Sequence, residues 1–392
     1  MRVLHVIPSV SPLRGGPSRA VLAMVQALRD RGIDATILTT NDHGPGIDPT
    51  LPPGRWSERE GVPLLAFRRW SPALAPLREF AISPGLVGWL GRHIRDYDLL
   101  HVHAIFSFPS TWAMVQARQA GVPYLVRTIG QLSPWSLGQS SGRKRWMLRL
   151  VERANLEGAA ALHFTTRAER DEAGPLGLRP PSLILPLGVR APAPSAAGAA
   201  DVLAQAGQGG IRWLFLSRLH HKKQLDRLLQ ALAILRRSQP AAAWSLTIVG
   251  SGTPAYEQQL RALADRLGVA DRCRWLGHLE GRAKQEQLIG ADWLVLPSAA
   301  ENFGIAVAEA LVCGTPVIVS PEVAMAELVA EAGAGLVCSS EPEALALTLG
   351  EALAGPSASM RQAAFNLAQQ RLAWNAIAAE LQSAYAALVR KT

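Results

Sequence analysis

The sequence predicts an α/β protein with two doubly wound parallel sheets, and three observations lead to this prediction. Short apolar runs alternate with longer amphipathic stretches in both halves of the 392-residue chain. This alternation is typical of strands that are buried on both faces and connected by helices. Between the halves, from Pro186 to Gly210, lies a stretch rich in Ala, Pro and Gly that buries little apolar surface. At about 150 residues per domain, the length favours two or three domains.

Hydrophobic periodicity places the individual elements. Ser18–Arg31 has the pattern of an amphipathic helix, and the leucines between Leu225 and Leu235 recur at the i, i+3, i+4, i+7 spacing of a core-facing helix. The predicted strands are Val3–Ile7, Ala35–Leu38, Leu99–Val102, Tyr124–Arg127, Arg212–Leu216, Ser245–Val249, Arg274–Leu276, Trp293–Leu296, Pro316–Val319 and Gly335–Cys338.

These elements form two groups, one on each side of the Ala- and Pro-rich stretch. We therefore expect a first Rossmann-like domain over residues 1–190, a linker over residues 191–210 and a second Rossmann-like domain over residues 211–373. Open parallel sheets bind ligands beyond the carboxyl ends of their strands. Two such sheets would leave a ligand-binding cleft between those ends.

The net charge of +9 is confined to the first half of the chain. Residues 1–190 carry 23 Lys and Arg against 14 Asp and Glu, whereas residues 191–392 carry 17 of each. The first half is therefore expected to meet an anionic partner. Because the chain has neither a Lys/Arg tail nor a recognisable nucleic-acid-binding module, we expect no nucleic acid. An anionic membrane face or a phosphate-bearing acceptor fits this charge.

Composition and short motifs indicate a cytoplasmic protein without a metal site. The apolar run before Pro8 is too short for a signal peptide, and no stretch approaches the roughly 18 apolar residues of a spanning helix. The three cysteines lack the spacing of a metal site or a disulfide framework. Asp96-Tyr97-Asp98 has a D-x-D spacing but precedes a buried strand, so we interpret it as a solvated turn. Association with the cytoplasmic face of a membrane is a further expectation.

The segment Glu301–Ala310 carries the clearest functional signal. It follows the apolar run Trp293–Pro297 and has the pattern of a short polar loop and a helix that begins at or just after Gly304. The first turn of a helix leaves backbone N–H groups without partners and carries partial positive charge. The N–H groups of Phe303, Gly304 and Ile305 would therefore suit a phosphate.

Two carboxylates flank this helix start. Glu301 lies before it and Glu309 lies more than one turn inside the helix. Ionised carboxylates only accept hydrogen bonds, which suits the hydroxyl groups of sugar rings on either side of a phosphate. The alternative for Glu301 alone is a simple charge complement to the helix dipole. The whole segment predicts a sugar-nucleotide site.

A pair of cations follows the first predicted strand of the second half. Arg218 and Lys223 are five residues apart at a strand–helix junction, where they can hold a diphosphate from two sides. A solvated basic turn is the alternative. In the first half, Gly15 and Gly16 follow the first strand and would let the backbone approach a phosphate, with Ser18 as a candidate helix cap. A tight turn without a ligand is equally compatible with that loop.

Two histidines of the first half, His101 and His103, lie on one side of a predicted strand. Each is compatible with a hydrogen-bonded core histidine. His103 is nearer the carboxyl end of the strand and so nearer the expected cleft.

Together, these motifs resemble the signature of the retaining GT-B glycosyltransferases of family 4. The spacing E-x-F-G-x-x-x-x-E occurs from Glu301 to Glu309, and the segment from Ser217 to Gln224 resembles G-R-L-x-x-x-K-G, with Ser217 and Gln224 in place of the two glycines. The resemblance is strongest from Arg212 to Ile318. It implies the GT-B fold, in which two Rossmann-like domains face each other across a cleft and the final helix, residues 374–392, packs back on the first domain.

The resemblance also implies roles for individual residues. Arg218 and Lys223 would stabilise the leaving diphosphate in place of a metal ion, Glu301 would bind hydroxyl groups of the donor sugar, and Glu309 would bind the ribose. The further donor contacts that it implies are Gly15, Gly16, Gly250, Ser251, Leu276, Asn302, Phe303, Gly304 and Ile305, and the weaker contacts on the acceptor or sugar side are His103 and Gly130.

The activity implied is that of a metal-independent, hexosyltransferase-type enzyme without a cofactor. It would move a sugar, with retention, from a UDP- or GDP-sugar to a glycan or lipid-linked acceptor in polysaccharide or cell-envelope biosynthesis. One position departs from the pattern: Ile129 stands where the family has its active-site histidine. The alternatives are a non-catalytic sugar-nucleotide-binding relative and another GT-B enzyme such as a sugar-nucleotide 2-epimerase.

A basic helix is predicted near residues 143–153. Arg145, Arg149 and Arg153 recur every four residues, with Trp146 and Leu150 beside them. One interpretation is an ordinary helix with its apolar side in the core. The other is an interfacial helix that contacts an anionic membrane.

Overall fold

The computed structural model describes residues 1–139, 141–190 and 210–390. The chain divides into two compact units: the first combines Met1–Gly188 with the segment that starts at Trp374, and the second covers Val189–Ala373. The predicted linker falls almost entirely on residues 191–209, which lie outside the described residues.

The first unit is built on an eight-stranded sheet with the order β10-β9-β8-β7-β1-β2-β6-β5. All neighbouring strands are parallel except β5, which pairs antiparallel with β6 at one edge. A two-stranded ribbon, β3 with β4, lies apart from it. The strands are β1 Arg2–Val6, β2 Asp34–Thr40, β3 Asp42–His43, β4 Gly46–Ile47, β5 Trp56–Arg59, β6 Val62–Phe67, β7 Leu99–His103, β8 Tyr124–Arg127, β9 Ala161–Phe164 and β10 Ser182–Ile184.

The second unit is built on a six-stranded, fully parallel sheet with the order β13-β12-β11-β14-β15-β16. The reversal of strand order around β11 is the arrangement that places a ligand site at the carboxyl ends of the central strands. The strands are β11 Ile211–Leu216, β12 Trp244–Val249, β13 Cys273–Gly277, β14 Trp293–Leu296, β15 Val317–Val319 and β16 Gly335–Val337.

Helices cover both faces of the two sheets. Those of the first unit are α1 Gly16–Asp30, α2 Ala75–Glu79, α3 Pro84–His93, α4 Phe108–Ala120, α5 Pro134–Gly138, α6 Ser141–Met147, α7 Arg153–Glu157 and α8 Arg167–Ala173. Those that follow are α9 Leu225–Ser238, α10 Pro254–Arg266, α11 Gly281–Gly290, α12 Ile305–Val312, α13 Ala326–Ala332, α14 Pro342–Glu351, α15 Ala358–Leu367 and α16 Trp374–Arg390. Short 3-10 turns include Pro12–Arg14 and His221–Lys223, and π-helical segments cover Leu148–Glu152 and Ala368–Leu372.

The first sheet separates two apolar clusters. On one face, Met24 and Leu28 of α1 pack with Ile377 and Tyr385 of α16, so the C-terminal helix completes the core of the first unit. On the other face, Met114 of α4 packs with residues of α3 and the sheet. Burial of such side chains contributes roughly 1.5–3 kcal/mol each and fixes the strands whose ends carry the candidate sites.

The predicted α/β class with two parallel sheets is confirmed. Tyr124–Arg127 and Trp293–Leu296 are strands with the predicted bounds, whereas the sequence analysis omitted six strands, β3, β4, β5, β6, β9 and β10. The three cysteines form no disulfide. Within the described residues, no helix combines the length and the apolar character needed to cross a membrane.

Candidate functional site

The loops at the carboxyl ends of β11, β12 and β13 are joined by backbone hydrogen bonds. The bonds run from Ser217 N to Val249 O at 3.1 Å, from Leu219 N to Ser251 O at 2.9 Å and from Gly250 N to Gly277 O at 2.7 Å. Gly250 has a φ of 142°, and a Cβ atom there would lie 1.8 Å from Ser217 O, so only glycine allows this approach. The predicted residues Arg218, Gly250, Ser251 and Leu276 therefore share one end of the sheet.

The predicted residues Lys223 and Glu301 contact each other directly. Lys223 Nζ donates to Glu301 Oε2, and both side chains are largely shielded from solvent, with 13% and 21% of their surface exposed. The backbone brings them together because Ala299 N, just before Glu301, donates to Lys222 O at 2.8 Å. Burial and the charge of Lys223 lower the pKa of Lys222, which shows how densely cations are packed in this turn.

Glu301 is held in place by the neighbouring loop. Its N–H donates to Glu322 O at 3.1 Å, and its carbonyl accepts from Ala324 N at 3.0 Å. Three residues later, Gly304 adopts the left-handed conformation, with a φ of 88°, and α12 begins at Ile305. The first helical N–H groups lie here, as predicted, and Glu309 is inside α12. The side chain of Phe303 is buried.

Glu309 has a partner that the sequence analysis missed. Lys284 of α11 donates through Nζ to Glu309 Oε1 at 2.6 Å, and each side chain is about one quarter exposed. The two residues are 25 positions apart and belong to different helices, so no local spacing indicates the pair. Lys284 thus contacts the carboxylate that the sequence analysis predicted to hold the ribose.

Arg218 differs from these paired groups. Its side chain is exposed, and the described residues form no hydrogen bond or ion pair with it. Because a guanidinium presents a planar fork of donors, Arg218 is the cation of this site best placed to take an anionic ligand.

The first unit has its own pocket, with a volume of about 230 Å³. It is bordered by β1, by the loop before α1, by α2 and by the segments after β7 and β8. The lining residues are Ile7, Pro8, Ser9, Arg14, Pro17, Ser18, Asp42, Glu79, Ala81, Ala104, Ile105, Phe106, Ser107, Ile129 and Gln131. Ile129, the residue that departs from the family pattern, is therefore on the pocket surface.

An arginine at the pocket links two carboxylates. Arg14 Nε and Nη2 donate to the two oxygens of Asp42, each at 2.7 Å, and Nη1 donates to Glu79. The fully buried Arg69 also donates to Asp42. Burial opposes ionisation of Asp42, but the hydrogen bonds from Arg14 and Ser9 and the charges of both arginines outweigh it and lower the pKa of this carboxyl.

The loop of Gly15 and Gly16 leads into α1 without the serine cap that the sequence analysis suggested. Gly15 has a φ of 83° and precedes α1, which starts at Gly16. Ser18 lies in the first turn of α1 and is not its cap, because its hydroxyl donates to Ser9 O at 2.9 Å. Gly15 and Gly16 do not line the pocket, whereas their neighbours Arg14 and Ser18 do.

The predicted acceptor-side residues His103 and Gly130 are buried. Gly130 N donates to Glu169 Oε1 at 2.6 Å, which fixes the turn between Ile129 and Gln131. His103 is fully buried and bonds to His5, so its imidazole does not reach the pocket surface. This corrects the expectation of a histidine near the cleft, because the strand turns that side chain toward the core.

His103 belongs to a row of four fully buried histidines on β1, β7 and β9. Burial, followed by the positive charge of Arg127, lowers the pKa of His5 and His163 to about 3. Burial also lowers the pKa of His101 and His103 far below the usual range. The hydrogen bonds are His5 Nδ1 with His103 Nε2 (3.0 Å), His163 Nδ1 with His101 Nε2 (3.3 Å), His101 Nδ1 with Tyr385 OH (2.7 Å) and His163 Nε2 with Leu185 O (2.9 Å).

Three of these histidines, His5, His101 and His103, have ring nitrogens within 4.8 Å of one another, a distance compatible with a metal ion. However, the fully buried guanidinium of Arg127 lies on the adjacent strand β8 and adds positive charge to the same region. A second cation would be repelled there. We therefore interpret the histidine row as a neutral part of the core, in which His5 Nε2 and His103 Nδ1 have no hydrogen-bond partner among the described residues.

The basic helix exposes its apolar residues, contrary to the first of the two interpretations. Trp146 is 67% exposed and Leu150 is 54% exposed. Arg145, Arg149 and Arg153 of the same α6–π–α7 segment are also exposed. The structure thus presents aromatic, aliphatic and basic groups together.

Comparison with known proteins extends these observations. The family of glycosyl transferase 4-like domains matches residues 15–188, and the family of glycosyl transferases group 1 matches residues 206–370. The D-inositol 3-phosphate glycosyltransferase of Kineococcus radiotolerans is 26% identical over 350 residues, which cover 85% of this chain and 79% of that protein.

Two solved structures share the fold of the whole chain. The sucrose-phosphate synthase of Thermosynechococcus elongatus has a TM-score of 0.77 at 21% identity and is covered over 100% of both chains. HepE of Anabaena, in complex with UDP-glucose, has a TM-score of 0.70 at 21% identity, over 99% of this chain and 100% of that one.

The class of protein follows from these matches: the chain is a glycosyltransferase with the GT-B fold. More closely, it carries a glycosyl transferase 4-like domain followed by a glycosyl transferases group 1 domain.

Proposed function

We propose that this protein transfers a hexose, with retention, from a nucleoside diphosphate sugar to a glycan or lipid-linked acceptor in polysaccharide or cell-envelope biosynthesis. The observation that carries the proposal is the contact of Lys223 with Glu301, shortly before the start of α12, together with the exposed Arg218 five residues before Lys223 in the chain. UDP is the favoured nucleotide over GDP, since HepE, with the same fold, is in complex with UDP-glucose.

The chemistry follows from charge placement. The bond between the anomeric carbon and the diphosphate oxygen breaks, a bond to the acceptor oxygen forms, and the acceptor proton passes to the departing diphosphate. Arg218, Lys223 and the N–H groups at the start of α12 stabilise the negative charge that develops on the diphosphate. Glu301 and Glu309 accept hydrogen bonds from the sugar and ribose hydroxyls and orient the donor.

The first test is donor binding followed by turnover. Purified protein is heated with UDP-, GDP-, ADP- and dTDP-sugars, and a ligand of the native state must raise the melting temperature. We expect UDP-sugars to give the largest shift and Glu309→Ala to abolish it, while Glu343→Ala, in α14 of the same unit, retains it. Well-folded protein that no nucleotide sugar stabilises would contradict the proposal.

Metal independence is part of the same proposal. Arg218 and Lys223 supply the positive charge that a bound divalent ion supplies in other transferases. Turnover is therefore expected to be unchanged by EDTA and by added Mg²⁺ or Mn²⁺. A loss of activity in EDTA that Mn²⁺ restores would assign the charge to a metal.

A second candidate is a non-catalytic sugar-nucleotide-binding protein. It is favoured by Ile129, which replaces the histidine of the family and adopts a φ of 53°, a strained conformation for a β-branched residue. Donor binding with neither transfer nor hydrolysis would support it. A sugar-nucleotide 2-epimerase would instead convert the donor into its epimer at C2 of the sugar, without an acceptor.

The exposed basic helix supports a further part of the proposal, contact with the cytoplasmic face of an anionic membrane. Trp146 and Leu150 can insert at the headgroup level while Arg145 and Arg149 face anionic lipid. We expect salt-sensitive flotation with phosphatidylglycerol vesicles that Trp146→Ala weakens. Trp70→Ala, at a tryptophan with 51% exposure in the same unit, is the matched control. Equal flotation of the two variants would count against the contact.

A further inference from the structure

The pocket of the first unit has an unusual balance of charge. Among its lining residues, Arg14 is the one cation, and it faces two carboxylates, Asp42 and Glu79. All three guanidinium nitrogens of Arg14 already donate to these carboxylates. Two of the five guanidinium N–H groups remain, but a phosphate that accepted from them would meet the negative charge of both carboxylates.

Arg69, the second arginine bound to Asp42, also has its hydrogen bonds satisfied within the protein. Arg69 donates to Asp42, to the carbonyl oxygens of Gly44 at 3.0 Å and Gly46 at 2.7 Å, and to the hydroxyl of Ser71 at 3.2 Å. Its side chain has no exposed surface. The charge of each arginine is therefore already offset by a carboxylate, which weakens its attraction for a phosphorylated ligand.

The remaining groups suit hydroxyls and C–H surfaces. Glu79 is about half exposed and accepts from Arg14 through one oxygen, which leaves the other as an acceptor for ligand hydroxyls. Gln131 Oε1 accepts a hydrogen bond from Ile105 N at 2.6 Å. The amide NH₂ group of Gln131 can therefore donate hydrogen bonds to a ligand. Apolar walls are formed by Phe106 and Ile129. A sugar ring presents hydroxyls at its edge and C–H groups on its faces.

The backbone around the cavity is strained in a way that indicates a fixed binding shape. Six non-glycine residues of the described chain have a positive φ, and four of them line this one pocket. A non-glycine residue in this region costs roughly 1–3 kcal/mol and persists where the surroundings impose it, most often at ligand sites. The four residues are Ala81 (58°), Ala104 (68°), Phe106 (58°) and Ile129 (53°).

We propose that this pocket binds the acceptor and selects a neutral, hydroxyl-rich group such as a sugar ring over a phosphorylated one. The inference rests on the proposed transferase function. It narrows that function by excluding a phosphate group at the position that Arg14, Asp42 and Glu79 surround.

The test compares matched acceptors on the full chain. Release of the nucleoside diphosphate from the accepted donor is measured with methyl glucoside against glucose 6-phosphate and with inositol against inositol 3-phosphate. Acceptor binding is measured separately by titration calorimetry in the presence of UDP. We expect the neutral member of at least one pair to be favoured by about tenfold or more, the size of one lost charge-assisted hydrogen bond.

A variant should remove most of the preference if the charge argument holds. Glu79→Gln removes one carboxylate and leaves Arg14 with one neutral partner, so the ratio of neutral to phosphorylated acceptor should fall by about tenfold. Glu58→Gln, at an exposed carboxylate on β5 away from the pocket, should leave the ratio unchanged.

The outcomes separate this inference from the function on which it rests. Preference for the phosphorylated members, or a donor-hydrolysing protein that binds neither class, would overturn the acceptor assignment and leave the transferase proposal standing. Absence of donor binding would remove the transferase proposal, whereas calorimetry would still report whether the pocket prefers neutral sugars.

Discussion

The two sheets bury different chemistry in their central strands. In the first unit, β1, β7 and β9 bury four neutral histidines. In the second unit, β11 and β14 bury apolar groups such as Trp213 and Trp293, and the charged candidate residues lie in the loops and helices beyond the strands. The site of the second unit is thus separable from its core, whereas in the first unit polar groups are part of the core. Protonation or substitution should therefore affect the two units differently.

Lowering the pH is expected to produce the largest difference in stability between the two units. The folded pKa of His5 and His163, about 3, lies below the unfolded value of 6.5, so the unfolded state binds more protons between those values and stability falls as pH falls below about 6.5. At pH 4.5 each group costs the folded unit about 3 kcal/mol.

Hydrogen exchange followed by mass spectrometry can locate this loss of stability. Between pH 7 and pH 4.5 we expect protection to fall first in β1, β7 and β9, while β11, β12 and β14 stay protected. His278→Gln, at an exposed histidine of the second unit, should not change the profile. Loss of protection that begins in the second unit would contradict the comparison.

Removing a loop cation of the second unit should abolish most activity without loss of stability. Arg218→Ala is expected to lower kcat by about 10²–10³, because it removes a charge that stabilises the departing diphosphate. Lys223→Ala should have a similar effect on turnover. Steady-state release of the nucleoside diphosphate measures the change, and urea unfolding reports stability. Arg237→Ala, at an exposed arginine of α9, serves as control; a turnover of Arg218→Ala close to that of this control would refute the role.

The missed residue Lys284 should act through donor affinity. Lys284→Met removes the 2.6 Å hydrogen bond to Glu309, so the KM for the donor is expected to rise about tenfold with kcat within about threefold. Lys284→Arg should restore part of the affinity, which a purely structural effect would not predict. Arg282→Met on the same helix is the comparison variant, and an equal rise in its KM would speak against a specific role.

The smallest expected effect concerns backbone conformation. Gln224 adopts a φ of 52° at a position where the resembled pattern has glycine. Gln224→Gly removes this left-handed strain but adds entropy to the unfolded chain, so a net gain of about 0.5–1 kcal/mol is expected. Gln287→Gly, within the right-handed helix α11, should instead lose about 1 kcal/mol. Denaturant unfolding distinguishes the two, and destabilisation by both would show that Gln224 is not strained.

Local patterns predicted much of the fold and part of the candidate site. Apolar runs such as Trp293–Leu296 and the start of α12 at Ile305 depend on neighbouring residues, so periodicity and glycine position find them. The contact of Lys223 with Glu301 could be predicted from the sequence, because the two residues follow β11 and β14, which are adjacent parallel strands.

Other features depend on contacts that are distant in sequence. Arg14 meets Glu79 across 65 positions, and Lys284 meets Glu309 across two helices. The burial of His103 depended on which face of β7 packs against α16, and a period of two identifies a shared face without saying which one is covered. The left-handed conformation of Ile129 is contrary to the preference of its side chain and so had no signal in the sequence.

The contact between Lys223 and Glu301 has a consequence for product release. In the proposed site, a diphosphate that takes the lysine leaves the carboxylate in need of a new donor, and only the sugar hydroxyls of an intact donor supply it. After transfer, the diphosphate remains in the site without the sugar. The carboxylate of Glu301 then competes with the diphosphate for Lys223 and regains its ion pair. The same ion pair would then work as an internal counter-ion that favours loading of intact donor and helps to expel the spent nucleotide.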